Sequence, residues 1–162
     1  MSLEGRPEPA ARRLERHGLR ADVPAGWECR IGKTFEGDGD IRTFSVLHAA
    51  TVPLIGPRAD YGGGVVELLG ANDVFVSLVE FGPGEAGSAL FKEVDALPVL
   101  EQGMFHRNQL QRRLRGQAGV QRFFTINGRP FCLYVVLGSI VNSAALVEKA
   151  NELVQGLGVE TL

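Results

Sequence analysis

Residues 121–138, QRFFTINGRPFCLYVVLG, carry the strongest folding signal in the chain. Asn127 and Gly128 separate two runs rich in β-branched and aromatic residues. An Asn-Gly pair accepts the two positive φ angles of a type I′ turn, whose twist matches that of the strands it joins. A two-residue turn sets the register: Ile126 faces Arg129, Thr125 faces Pro130, Phe124 faces Phe131 and Phe123 faces Cys132. Because side chains alternate across a strand, one face then carries Val120, Arg122, Phe124, Ile126, Phe131, Leu133, Val135 and Leu137. The other carries Gln121, Phe123, Thr125, Cys132, Tyr134 and Val136. Both faces are apolar, which puts the hairpin in the middle of a sheet covered on both sides. Pro130 falls at a non-hydrogen-bonded pair, so its missing amide leaves the hairpin intact and a further neighbour begins pairing beyond it.

Upstream, Val74–Phe81 reads as a strand between Asn72-Asp73 and Gly82-Pro83-Gly84. Two further strands, Trp27–Phe35 and Ile41–Thr51, flank the turn-like Glu36-Gly37-Asp38-Gly39-Asp40 and should form a hairpin. Val65 and Val66 lean Val65–Leu69 toward strand. Residues 53–64 and 82–102 read as loops, the second anchored by Leu90, Phe91 and Leu97. Downstream, a helix runs from Asn142 to Gln155, capped by Asn142 or Ser143 and stopped by Gly156 and Gly158. Leu146, Ala150, Leu153 and Leu157, broadened by Val147 and Val154, form a stripe that should lie on the sheet. Val159–Leu162 suggests a last short strand. Residues 8–17 suggest a short helix with Leu14 as its one large apolar residue, a helix too weak to stand alone. The expected fold class is α+β: an antiparallel β-sheet flanked by an N-terminal and a C-terminal helix. Residues 1–20 form an N-terminal extension or short helix and residues 21–162 a single domain.

The length of 162 residues suits one domain with a sizeable core, and 44% apolar with 22% charged residues is the composition of a folded protein. Twenty-one glycines favour tight turns and a sheet-rich fold. Met1–Arg20 is basic and lacks the apolar centre of a secretory signal, and no stretch approaches the ~20 apolar residues of a membrane span, so a cytoplasmic location and no membrane partner are expected. Cys29 and Cys132 form no C-x-x-C pair and read as small buried side chains in a reducing compartment.

Pro24-Ala25-Gly26-Trp27 leading into the first strand, the VFVSLVEF strand at 74–81, the FF and NGRPFCLYVVLG segments of the hairpin and the final amphipathic helix together resemble the Mog1/PsbP-like group. The resemblance spans residues 20–162, although its one local motif is four residues long. The arrangement also resembles small proteins of GC-rich bacteria. The Mog1/PsbP resemblance implies an antiparallel sheet flanked by helices, and an accessory module that binds a larger protein without chemistry of its own. It brings no set of functional residues that can be placed on this chain.

Candidate chemistry is sparse. Glu36, Asp38 and Asp40 have the spacing of calcium ligands, yet an EF-hand loop starting there has Ile41 at its sixth position, where glycine belongs, and Leu47 at its twelfth, where glutamate belongs. No serine has the glycine spacing of a nucleophile elbow. His17, His48 and His106 are far apart, and His48 shares a strand face with Phe44, Val46 and Ala50, as a histidine at the core edge would. Gly62-Gly63-Gly64 lacks the G-K-[ST] ending of a phosphate-binding loop. Trp27 reads as a core lid. No cofactor is implied.

Charge carries the remaining signal. Residues 22–101 hold five basic and thirteen acidic side chains, whereas residues 102–147 hold six arginines and no acid. Arg107, Arg112, Arg113 and Arg115 fall within nine residues, beside Phe105, Leu110 and Leu114. Guanidinium groups among apolar side chains suit carboxylates or phosphates on a partner. They are also free to pair within the fold, with Glu28, Glu67 or Glu80. A net charge of -2 argues against nucleic acid. The expectation is a non-enzymatic module that docks an acidic protein partner through these four arginines, with a homo-oligomer compatible. The alternative is a small-molecule binding domain or enzyme with a pocket between the sheet and the 53–64 and 82–102 loops.

Overall fold

The computed structural model describes residues 9–33, 44–56 and 58–161. Among them lie eight strands, β1 (Arg12–Arg16), β2 (Leu19–Val23), β3 (Glu28–Lys33), β4 (Ser45–Ala50), β5 (Val74–Glu80), β6 (Ala118–Ile126), β7 (Arg129–Leu137) and β8 (Leu157–Val159), and one α-helix, α1 (Ser143–Val154). Five strands form an antiparallel sheet in the order β3-β4-β5-β7-β6, and β1-β2-β8 form a smaller one.

The β6–β7 hairpin has the register that its turn demands, from Ile126 opposite Arg129 through Phe123 opposite Cys132. Asn127 and Gly128 take φ angles of 51° and 78°. Beyond Pro130, β7 pairs with β5 from Phe131 opposite Glu80 onward. The amide that Pro130 lacks is not needed, because the backbone of Thr125 opposite it turns outward and bonds Lys92 and Val94 instead. The hairpin is thus central on the β7 side and guarded by a loop on the β6 side.

One face of the large sheet packs Leu47, Val76, Leu78, Leu133 and Val135 against Leu146, Ala150 and Leu153 of α1 and against Leu19, Ala21 and Val23 of β2. Each Leu or Val among them contributes about 1.5–3 kcal/mol through burial. On the other face Ala50, Phe75, Cys132, Tyr134 and Val136 are covered by Leu54, Val65, Val66 and Leu110 from long connections. Coverage by loops leaves that face with room for polar sites, which coverage by a helix would have filled.

The expectation of a sheet flanked by an N-terminal and a C-terminal helix is overturned. The molecule is mostly β, with two antiparallel sheets and a single, C-terminal helix. The N-terminal segment is the β1–β2 hairpin, with Arg16 opposite Leu19 and Leu14 opposite Ala21. Its turn is His17-Gly18, at φ 53° and 73°, the same left-handed pair that Asn127-Gly128 adopts. Leu19, Ala21 and Val23 are buried while Arg20 and Asp22 are not, a period of two that a helix cannot bury. Two smaller expectations also change. Val66–Leu68 is a 3-10 turn, and Leu90 is 59% exposed, so the 82–102 loop is held by Phe91 and Leu97 without it. The Glu36–Asp40 turn and residues 41–43 lie outside the described residues.

Candidate functional site

Residues 105–117 wrap the outer edge of β6. His106 exchanges both backbone hydrogen bonds with Gly119, at 2.9 and 3.1 Å. Phe105 sinks into the core on the helix side and Leu110 into the core on the other. Gly119 makes this crossing fit, because a Cβ there would stand 2.6 Å from Cδ2 of Leu110. The segment is then pinned at two more points: the amide of Gln111 donates to Oη of Tyr134 at 2.8 Å, and Nε2 of Gln117 donates to the carbonyl of Val66 at 2.8 Å.

With the apolar residues drawn inward, Arg107, Arg112, Arg113 and Arg115 are all exposed. Nη1 of Arg112 lies 2.8 Å from Oε1 of Glu67. Backbone hydrogen bonds to Glu67, together with this guanidinium, hold its carboxyl below the usual range against slight burial. Arg107, Arg113 and Arg115 make no ion pair among the described residues. Exposed apolar side chains stand beside them in the fold. Leu68 follows Glu67, and Ile140, whose amide bonds the carbonyl of Gly116, is followed by Val141 at 89% exposure.

A second polar centre is buried between the sheets. Arg129, turned to the helix-side face by the hairpin register, sends Nε to Oε2 of Glu80 at 2.7 Å and Nη2 to Oε1 at 3.0 Å. The same guanidinium donates to the carbonyls of His17, Gly18 and Glu160 at 3.0 to 3.1 Å. Ser45 closes the group, its amide donating to Glu80 and its hydroxyl to the His17 carbonyl. A cleft of about 550 Å3 opens onto this pair between His17, Lys33, Phe44 and Phe81. Every donor of the guanidinium is already used inside the fold, so the pair reads as a fastener between the two sheets.

A third centre lies at the opposite side of the sheet from the arginine segment. His48 of β4 is buried, with Nε2 2.7 Å from the carbonyl of Asp60 and Nδ1 accepting from Nε of Arg58 at 2.9 Å. An Nδ1 that accepts carries no proton, so Nε2–H donates and the ring is neutral. Burial pushes its pKa down to about 4 against the opposing pull of the Asp60 carbonyl, and the charge of Arg58 acts in the same direction as burial. With both nitrogens committed, His48 has no lone pair to offer a substrate. The hydroxyl of Ser77 donates to the same Asp60 carbonyl at 2.6 Å. Neither cysteine supplies a nucleophile either, because burial pushes both the Cys29 and the Cys132 thiols up to about 12.

Sequence reasoning brought the four arginines to notice and anticipated Glu67 as a partner for one of them. It did not foresee the Arg58–His48–Asp60 chain, which depends on a loop folding back over β4 and has no motif. Among the described residues no group of three or more His, Cys, Asp or Glu is placed to hold a metal ion. No helix among them is long and apolar enough to cross a membrane. Comparison of the chain with protein-family models, with curated proteins and with solved structures finds no match in any of the three. The Mog1/PsbP resemblance therefore rests on the sequence features alone.

Proposed function

We propose that this chain is a non-enzymatic, cytoplasmic docking module that holds an acidic protein partner through Arg107, Arg112, Arg113 and Arg115. The observation that carries this reading is the division of labour in residues 105–117. Phe105 and Leu110 anchor the segment on both faces of the sheet while all four guanidinium groups remain in solvent. Solvated arginines on a backbone pinned to β6, Tyr134 and Val66 lose little further backbone entropy on binding, and preorganisation of this kind favours affinity. Leu68, Ile140 and Val141 add an apolar margin that a partner can desolvate. The one ion pair these arginines make among the described residues, Arg112 to Glu67, is exposed and can be exchanged for a partner carboxylate at little cost.

Capture of partners from the native host with the wild-type chain and with an Arg112→Glu/Arg113→Glu variant tests the reading. The wild type should retain a protein with an acidic surface, release it as salt rises, and lose it on charge reversal. If both forms retain the same proteins, the arginines are not the docking surface.

A further inference from the structure

We propose that the hollow between β3, β4 and the connection that carries Gly56, Arg58 and Asp60 is a binding site for a dianionic phosphoryl group, gripped by Arg58 and Arg30. It lies across the sheet from the docking arginines and does not depend on that reading.

The hollow, of about 250 Å3, is lined by Arg30, Lys33, His48, Arg58 and Asp60 and by Gly32 and Gly56. Its size fits a phosphate with a small substituent, below the several hundred Å3 of a site for a larger ligand. Arg58 is aimed into position by its Nε hydrogen bond to His48, whose ring is fixed in turn by the Asp60 carbonyl. The acceptor that orients this guanidinium is therefore a neutral imidazole, and its positive charge is not cancelled. The two Nη groups of Arg58 have no partner among the described residues, and they form the planar edge that engages phosphate oxygens in a bidentate way. Arg30 stands opposite His48 in the β3–β4 register and makes no ion pair among the described residues either. Burial lowers the pKa of Arg58, and the neighbouring charge of Arg30 lowers it further.

Asp60 does not supply the missing anion. Its carbonyl is taken by His48 and Ser77, and its carboxyl is shifted up by burial with no cation opposing the shift. Two guanidinium groups that repel one another, one of them half-buried, with the Lys33 ammonium also lining the hollow, leave an excess of positive charge that a single carboxylate would only partly balance. A phosphoryl dianion matches it better.

Calorimetric and thermal-shift titrations of the full chain with inorganic phosphate, with glycerol phosphate and with chloride at matched ionic strength test the site. We expect saturable binding of a phosphoryl probe, a melting temperature that rises with it and not with chloride, and at least tenfold weaker binding in Arg58→Gln and in Arg30→Gln. Arg58→Gln keeps an amide that can donate to His48. Should it still fail to fold, Arg30→Gln alters an exposed strand residue and serves alone. Binding of the ester alone assigns the site to phosphomonoesters, and equal binding of both assigns it to the phosphoryl group itself. The proposal is overturned if neither probe binds above chloride, or if both variants bind as the wild type does.

Discussion

Arg129 Nε lies 2.7 Å from Glu80 Oε2, and the two side chains, 4% and 8% exposed, join four separate segments of the chain. Through this one guanidinium the β1–β2 turn, the residue after β8, the start of β4 and the end of β5 meet at the end of the β6–β7 hairpin. Attraction in so dry a place is strong, but so is the cost of removing both charges from water, and the net value of the intact pair is modest. Its significance is positional.

Breaking the pair from one side should therefore cost far more than replacing it. Glu80→Leu leaves the Arg129 charge buried without its partner, Arg129→Met leaves the Glu80 charge so and also an unmet set of carbonyls, and each is expected to lower stability by about 3–5 kcal/mol. A Glu80→Leu/Arg129→Met double variant should lose less than the two single effects added together. Urea unfolding of the three variants measures this, and strictly additive losses would show that the two groups do not act as a unit.

His48 predicts a dependence of stability on pH. Its folded pKa of about 4 lies below the ordinary 6.5, so between these values the unfolded chain binds a proton that the folded chain refuses. The contribution is complete above pH 6.5 and is lost as pH falls toward 4, up to about 3 kcal/mol. His48→Gln, which cannot take up a proton, should flatten the fall in urea midpoint between pH 7 and pH 5. An equal fall in wild type and variant would assign the acid sensitivity to other groups.

The elements that were legible in the sequence are those whose signal is local. Asn127-Gly128 sets both the turn and the register of eighteen residues around it, and the stripe on α1 states its period within three turns. His17-Gly18 makes the same turn without the Asn that advertises it. Its first strand shows only Leu14 as apolar because β1 sits at the margin of the small sheet, and the three arginines and one glutamate around Leu14 imitate a helix surface. The polar centres were legible only in part for a related reason. Arg112 and Glu67 could be named as candidates by charge, but Arg129 and Glu80 are 49 residues apart and meet only once β5 and β7 have paired. Arg58 finds His48 through a loop whose path is set by Asp60 reaching Ser77. Such contacts follow from tertiary closure, which spacing along a chain does not encode.

The docking test requires that its variant fold. Arg112 and Glu67 are 66% and 30% exposed in their side chains, and an ion pair so wet contributes about 0–1 kcal/mol. Arg112→Glu/Arg113→Glu should unfold within about 1 kcal/mol of wild type, because neither side chain supports the anchors Phe105 and Leu110. Denaturant midpoints decide the point. A larger loss would mean that the arginines support the fold, and a failed capture could then not be laid to docking.

The two left-handed turns give the last prediction, since they differ by one residue type in the same conformation. His17 and Asn127 have φ 53° and 51°, but the short polar side chain of Asn tolerates this region better than an imidazole does. His17→Asn should stabilise the chain by a few tenths of a kcal/mol, whereas Gly18→Ala, at φ 73°, should cost about 1–2 kcal/mol. The carbonyls of both turn residues are acceptors for Arg129, so distortion at Gly18 should be felt at the buried pair. In an Arg129→Met background, where the turn carbonyls have already lost the guanidinium, Gly18→Ala should cost measurably less than in wild type, by at least about 0.5 kcal/mol. Equal costs in the two backgrounds would mean that the turn and the ion pair are mechanically independent.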